Sequence, residues 1–124
     1  MTAGRVTGTL TTHVLDTAHG RPAAGLRIDL AVIGPDGRPR RVKTMTTDAE
    51  GRTEAPLLAA GEMHPGRYEL TFHVGAYFKA VGAAVTEPPF IDQIPLRFAI
   101  TDPAAHYSVP LLVSPWSYTV YRGS

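Results

Sequence analysis

The sequence predicts an all-β fold, a two-sheet antiparallel sandwich in a single domain covering residues 1–124. Three observations lead there. Segments in which apolar and polar residues alternate recur at intervals of roughly ten to fifteen residues, with turn-forming residues between them. The chain carries 11 prolines and 12 glycines, too many for long helices and well suited to short strands joined by turns. Only one stretch, near 75–82, reads as a helix. The expected inventory is seven or eight strands and one short helix.

Taken in order, Val6 to Leu15 places Val6, Leu10 and Val14 on one side and Thr7, Thr9, Thr11 and His13 on the other, a strand with one apolar and one hydroxyl-rich face. Asp16 to Pro22 is a loop, and Leu26, Ile28, Leu30 and Val32 mark the second strand. Pro35-Asp36-Gly37-Arg38-Pro39 is a turn. Arg41 to Thr47 forms a third strand, closed by Asp48-Ala49-Glu50-Gly51, and a short fourth strand is expected to include Arg52 and Thr53. After a loop through Met63-His64-Pro65-Gly66, Arg67 to Val74 alternates Tyr68, Leu70 and Phe72 against Glu69, Thr71 and His73. The Gly75–Gly82 helix is about two turns, too short to stand alone, and must lean on a sheet through Tyr77, Phe78 and Val81. Ile94, Leu96, Phe98 and Ile100 mark the next strand. At the C-terminal end Tyr107, Val109, Leu111 and Val113 alternate with His106, Ser108, Pro110, Leu112 and Ser114. Beyond the Ser114-Pro115 turn, Ser117, Thr119 and Tyr121 alternate with Tyr118, Val120 and Arg122. Residues 1–5 are expected to be disordered.

Composition narrows the function. The chain has no cysteine, so it can form no disulfide and no thiolate can act as nucleophile or metal ligand. A net charge of +1, from 12 basic and 11 acidic residues spread along the chain, argues against a nucleic-acid partner. No apolar run approaches the roughly 20 residues of a membrane span, and the first residues lack a signal-peptide core. A cytoplasmic protein without a membrane partner is expected. His19, His64 and His73 are scattered, no pair has the spacing of a zinc site, and neither a G-x-S-x-G elbow nor a glycine-rich phosphate loop is present.

The faces turned away from the apolar side are more informative. Thr9, Thr11 and His13 come from the first strand, Ser108, Pro110 and Leu112 from the seventh, and Ser117, Thr119 and Tyr121 from the eighth. If these strands share a sheet, its outer face is a semi-polar floor with few charges, a surface suited to a second subunit. Taken alone, His13 is an ordinary exposed strand histidine and Arg52 an ordinary turn arginine. The last four residues, Tyr121-Arg122-Gly123-Ser124, are unusual for an end that normally frays.

The runs LTTHVLDTAHGRPAAG, TDAEGRTEAPLL and HYSVPLLVSPWSYTVYRGS closely resemble the 5-hydroxyisourate hydrolases, transthyretin-related enzymes of purine breakdown, from about Gly8 to Ser124. The terminal YRGS is the most specific element of the likeness. The resemblance implies the transthyretin fold, a homotetramer built as a dimer of dimers, and a purine-derived small-molecule substrate. It also implies a channel whose mouths hold active sites drawing on more than one subunit, and metal-free hydrolysis of a cyclic amide with no cofactor. His13 matches the first catalytic histidine, Arg52 the substrate-binding arginine, and Tyr121, Arg122, Gly123 and Ser124 the tail that closes the site. The catalytic set so implied is His13, Arg52, Ser108 and Ser124. The substrate-binding set is His13, Arg52, Tyr121, Arg122, Gly123 and Ser124. By strand alternation, however, Arg122 points away from the channel, so holding the tail is a second role open to it.

Ser108 departs from the pattern, because the family reads His-Tyr-His before Val-Pro-Leu-Leu and the second histidine is catalytic. An unperturbed serine hydroxyl barely ionises at neutral pH and cannot replace an imidazole. Three accounts stand side by side: His13 works alone at reduced rate through a serine-bound water, the residue is a deliberate substitution, or the chain is a relative acting on another cyclic substrate. His106, two residues away on the same face, could substitute only in a shifted site. The alternative functions are a transthyretin-like small-molecule binding protein and a purely structural homo-oligomer.

Overall fold

The computed structural model describes residues 7–123. The expectations placed on residues 1–5, on Val6 and on Ser124 lie outside that range. Among the described residues eight strands and one helix follow in order: β1 Leu10–Asp16, β2 Arg21–Pro22, β3 Arg27–Ile33, β4 Pro39–Thr46, β5 Gly66–Phe72, α1 Val74–Ala80, β6 Ile94–Ile100, β7 Tyr107–Val113 and β8 Tyr118–Val120. They form two four-stranded sheets, ordered β2-β1-β7-β8 and β4-β3-β5-β6. The pairing is antiparallel except between β1 and β7, which run parallel.

The core lies between the sheets. Leu10, Val14, Leu111 and Val113 from one sheet meet Ile28, Leu30, Leu70, Phe72, Ile94 and Ile100 from the other, all essentially without solvent exposure. Strict alternation in β1, β5 and β7 delivers these side chains inward and leaves the intervening positions half-buried outside. Helix α1 covers one end, burying Tyr77 and Phe78 as expected. The Tyr77 hydroxyl donates to the buried Asp16 carboxylate at 2.7 Å, and His19 Nδ1 lies 2.6 Å from the same oxygen. Burial pushes the Asp16 carboxyl up, but the hydrogen bonds from Tyr77 and His19 outweigh it and hold the pKa below the ordinary value.

Two expectations are corrected. Arg52 and Thr53 form no strand; the segment after Gly51 is a series of bends, and only Leu58 pairs, as a single bridge to Leu10. Arg21 and Pro22, expected within a loop, pair with Asp16 and Leu15 as β2. In β3 Val32 packs against the core as expected, opposite Tyr68 of β5 although only half-buried, and the register against β4 shifts between Leu30 and Ala31, where β4 carries one extra residue. The helix begins at Val74, one residue before the expected start, and β4 begins at Pro39.

Candidate active site

The β2-β1-β7-β8 sheet brings three of the marked segments onto one outer face. In the β1–β7 register Thr11 stands opposite Ser108 and His13 opposite Pro110. On the far side of β7 the chain end continues the pattern: Tyr121 N–H donates to Pro110 O at 3.4 Å and Gly123 N–H to Ser108 O at 2.7 Å. One row across the face is therefore Thr11, Ser108 and Gly123, and the next is His13, Pro110 and Tyr121. Gly123 packs closely here, since a Cβ at this position would sit 3.3 Å from Ser108 Oγ.

Arg52 approaches from the other edge of β1. The chain from Gly51 to Leu58 runs along that edge and is bonded to it at both ends, through Val14 N–H to Gly51 O at 2.9 Å and Leu10 N–H to Leu58 O at 2.9 Å. Between these anchors it bows away, leaving a hollow of about 150 Å³ lined by Thr11, Thr12, Arg52, Thr53, Glu54, Ala55 and Pro56. Gly51 makes the turn possible. Its φ is +76°, and any Cβ would lie 2.3 Å from Val14 O. Asp48 completes the turn by accepting the Arg52 backbone N–H at 3.1 Å. Arg52 itself is exposed.

His106 occupies the same face, one alternation below Ser108. Its Nδ1 lies 2.5 Å from Thr9 Oγ1 and its Nε2 3.4 Å from Thr11 Oγ1. Arg122 behaves differently. Its guanidinium carbon sits 4.1 Å over the ring of Tyr107, whose side chain faces the core, so within this chain Arg122 turns away from His13. There it borders a more apolar hollow of about 220 Å³ with Leu96, Phe98, Tyr107, Val109 and Val120, set between the two sheets at β6 and β8.

Thus His13, Ser108, Tyr121 and Gly123 share one sheet face, Arg52 stands at the edge of β1 in a hollow that adjoins this face only through Thr11, Arg122 turns the other way, and Ser124 lies outside the described residues. Sequence reasoning placed Thr11 on this face without giving it a part, and missed Thr12, Thr53 and Glu54 as walls of the hollow. The TTH run was the available signal for Thr11 and Thr12, but nothing local shows that a segment some forty residues later closes over them. Among the described residues no three histidine, aspartate or glutamate side chains converge so as to hold a metal ion. No helix among the described residues is long and apolar enough to cross a membrane.

Comparison with known proteins gives a consistent picture. The model of the HIUase/Transthyretin family matches residues 10–123. A 5-hydroxyisourate hydrolase of Deinococcus radiodurans is 53% identical over 115 residues, 93% of this chain and 95% of that protein. Among solved structures, an (S)-allantoin synthase superposes with a TM-score of 0.90 and 48% identity over 97% of this chain, which spans only 45% of that longer one. Transthyretin from Sparus aurata superposes with a TM-score of 0.82 and 28% identity, covering 93% of this chain and 96% of its own.

Proposed function

The chain belongs to the HIUase/Transthyretin family, and from that membership we propose that it hydrolyses 5-hydroxyisourate, opening the six-membered ring to the hydroxy-carboxy-ureidoimidazoline on the route of urate degradation. What carries this reading is the match of nearly the whole chain to 5-hydroxyisourate hydrolases, supported by the sheet face that His13 shares with the chain end and by the Arg52 hollow that adjoins it through Thr11. Likeness to transthyretin alone would favour a carrier, but His13, Arg52 and the YRGS end supply chemistry that simple binding does not require.

In this reading water attacks the ring carbonyl and His13 takes its proton. Such general base help is worth roughly 100- to 10,000-fold in rate. Arg52 orients the substrate through its planar fork and stabilises the charge that develops on the carbonyl oxygen. Tyr121, Gly123 and Ser124 shape and close the pocket, while Arg122 holds the tail through the Tyr107 ring. Ser108 positions water by hydrogen bonding and moves no proton itself, so the site runs below the rate of one with an imidazole there. No cofactor or metal enters. The protein works in the cytoplasm as a homotetramer, a dimer of dimers. Open edges at β6 and β8, with the apolar hollow between them and exposed Phe90, Trp116, Tyr118 and Tyr121, are surfaces that a neighbouring copy would cover. Sedimentation is expected to give a mass four times the 13.3 kDa chain.

The test is the ultraviolet decay of freshly generated 5-hydroxyisourate. The protein is expected to accelerate it, and Ser108→His to accelerate it further, by roughly tenfold or more. Curves indistinguishable with and without protein would reject hydrolysis.

A further inference from the structure

Opening a cyclic amide requires two proton transfers, one from the attacking water and one to the departing ring nitrogen. The hydrolytic reading, on which this inference rests, assigns His13 to the first and names no group for the second, which either the newly protonated His13 or a separate donor could supply. We propose that His106 supplies that second proton through the Thr11 hydroxyl.

Three observations support this relay. His106 is the other imidazole on the site face, and its ring is fixed at both nitrogens by hydroxyls from β1 and the residue preceding it, Thr9 at 2.5 Å and Thr11 at 3.4 Å. A hydroxyl accepts as readily as it donates, so both contacts suit the ring with a proton on each nitrogen. Thr11 stands where a relay must stand: opposite Ser108 across the β1–β7 pair and in the wall of the hollow that holds Arg52. Finally, the separation demands an intermediary. His13 is level with Pro110, four residues beyond His106, about 13 Å along the strand. Two imidazoles that far apart do not flank one scissile bond directly. The 3.4 Å contact is long for a hydrogen bond, as catalytic contacts commonly are before substrate binds.

The step balances. The water oxygen bonds to the ring carbonyl carbon and its proton passes to His13. The carbon–nitrogen bond breaks, the nitrogen takes the Thr11 hydroxyl proton, and Nε2–H of charged His106 replaces it. His13 then releases a proton to solvent and His106 takes one up.

The experiment measures kcat and KM on freshly generated 5-hydroxyisourate for the unaltered protein, His106→Gln, Thr11→Val and the double variant, with circular dichroism melts to verify folding. Expected are losses of about 100-fold in kcat for each single variant, KM within about twofold, and a double variant no slower than either single one, as befits groups acting as one unit. Added imidazole is expected to restore activity to His106→Gly and none to Thr11→Val. His106 is exposed, so its replacement leaves the core intact, and the His106→Gly rescue decides the matter should Thr11→Val fail to fold. An active unaltered protein whose His106→Gln variant keeps kcat, loses only in KM, or multiplies its loss with that of Thr11→Val would overturn the relay while leaving the hydrolytic reading in place. An unaltered protein that leaves the decay unchanged overturns both.

Discussion

At the scale of single residues, the account rests on His13, a half-buried imidazole on a semi-polar face that it shares with Thr11, Ser108 and Pro110. His13→Asn keeps the size and a hydrogen-bonding side chain but removes the base. It is expected to lower kcat by roughly 100-fold or more with little change in KM, measured on freshly generated substrate. An equal loss in KM instead would assign His13 to binding. The sequence made His13, Arg52 and the chain end visible because each sits in a run whose residue order is specific. Their partners were not visible. Thr9 and His106 are separated by 97 positions and meet only because β1 and β7 pair in parallel. The Asp16–Tyr77 bond likewise joins residues 61 apart, between a loop edge and a helix.

Among the elements, the segment from Gly51 to Leu58 is the one that makes a site rather than a sheet edge. It carries Arg52 to β1 through the Gly51–Val14 bond, and that bond depends on a left-handed backbone at Gly51 with no room for a side chain. Gly51→Ala is expected to destabilise the protein by about 2 kcal/mol or more and, where it still folds, to raise KM as Arg52 is displaced. Thermal melts and steady-state kinetics check both, and a neutral variant would show that the turn is dispensable. Alternation in β1, β5 and β7 was readable directly because each has one face in the core. The β3 register shift was not, since a bulge is set by the partner strand. Nor was the absence of a strand at Arg52 and Thr53, where tertiary bonding to β1 overrides a short local pattern.

For the whole molecule, the second sheet has its own electrostatic tie. Asp29 accepts from Thr44 on β4 at 2.7 Å and lies 2.8 Å from His73 Nε2, just ahead of α1, so one carboxylate joins β3, β4 and the helix start. Partial burial pushes its carboxyl up, but bonds from Thr44, His73 and Arg27 outweigh this and hold the pKa at about 2. The folded carboxyl therefore keeps its charge to lower pH than the unfolded one. The stabilisation is complete above about pH 4, shrinks as the pH falls, and is gone below the folded value of about 2. Urea melts are expected to show Asp29→Asn less stable by about 2 kcal/mol at neutral pH, with the gap closing in acid. A gap independent of pH would contradict this.

The central claim is that an imidazole from β1, a guanidinium from the turn after β4 and the chain end serve one purine-sized site. A crystal structure grown with an unreactive urate analogue tests it most directly. The account expects the analogue beside Thr11 and Ser108, within hydrogen-bonding reach of His13 and Arg52. An analogue seated instead in the apolar hollow beneath Arg122, or bound with His13 and Arg52 both out of reach, would contradict it.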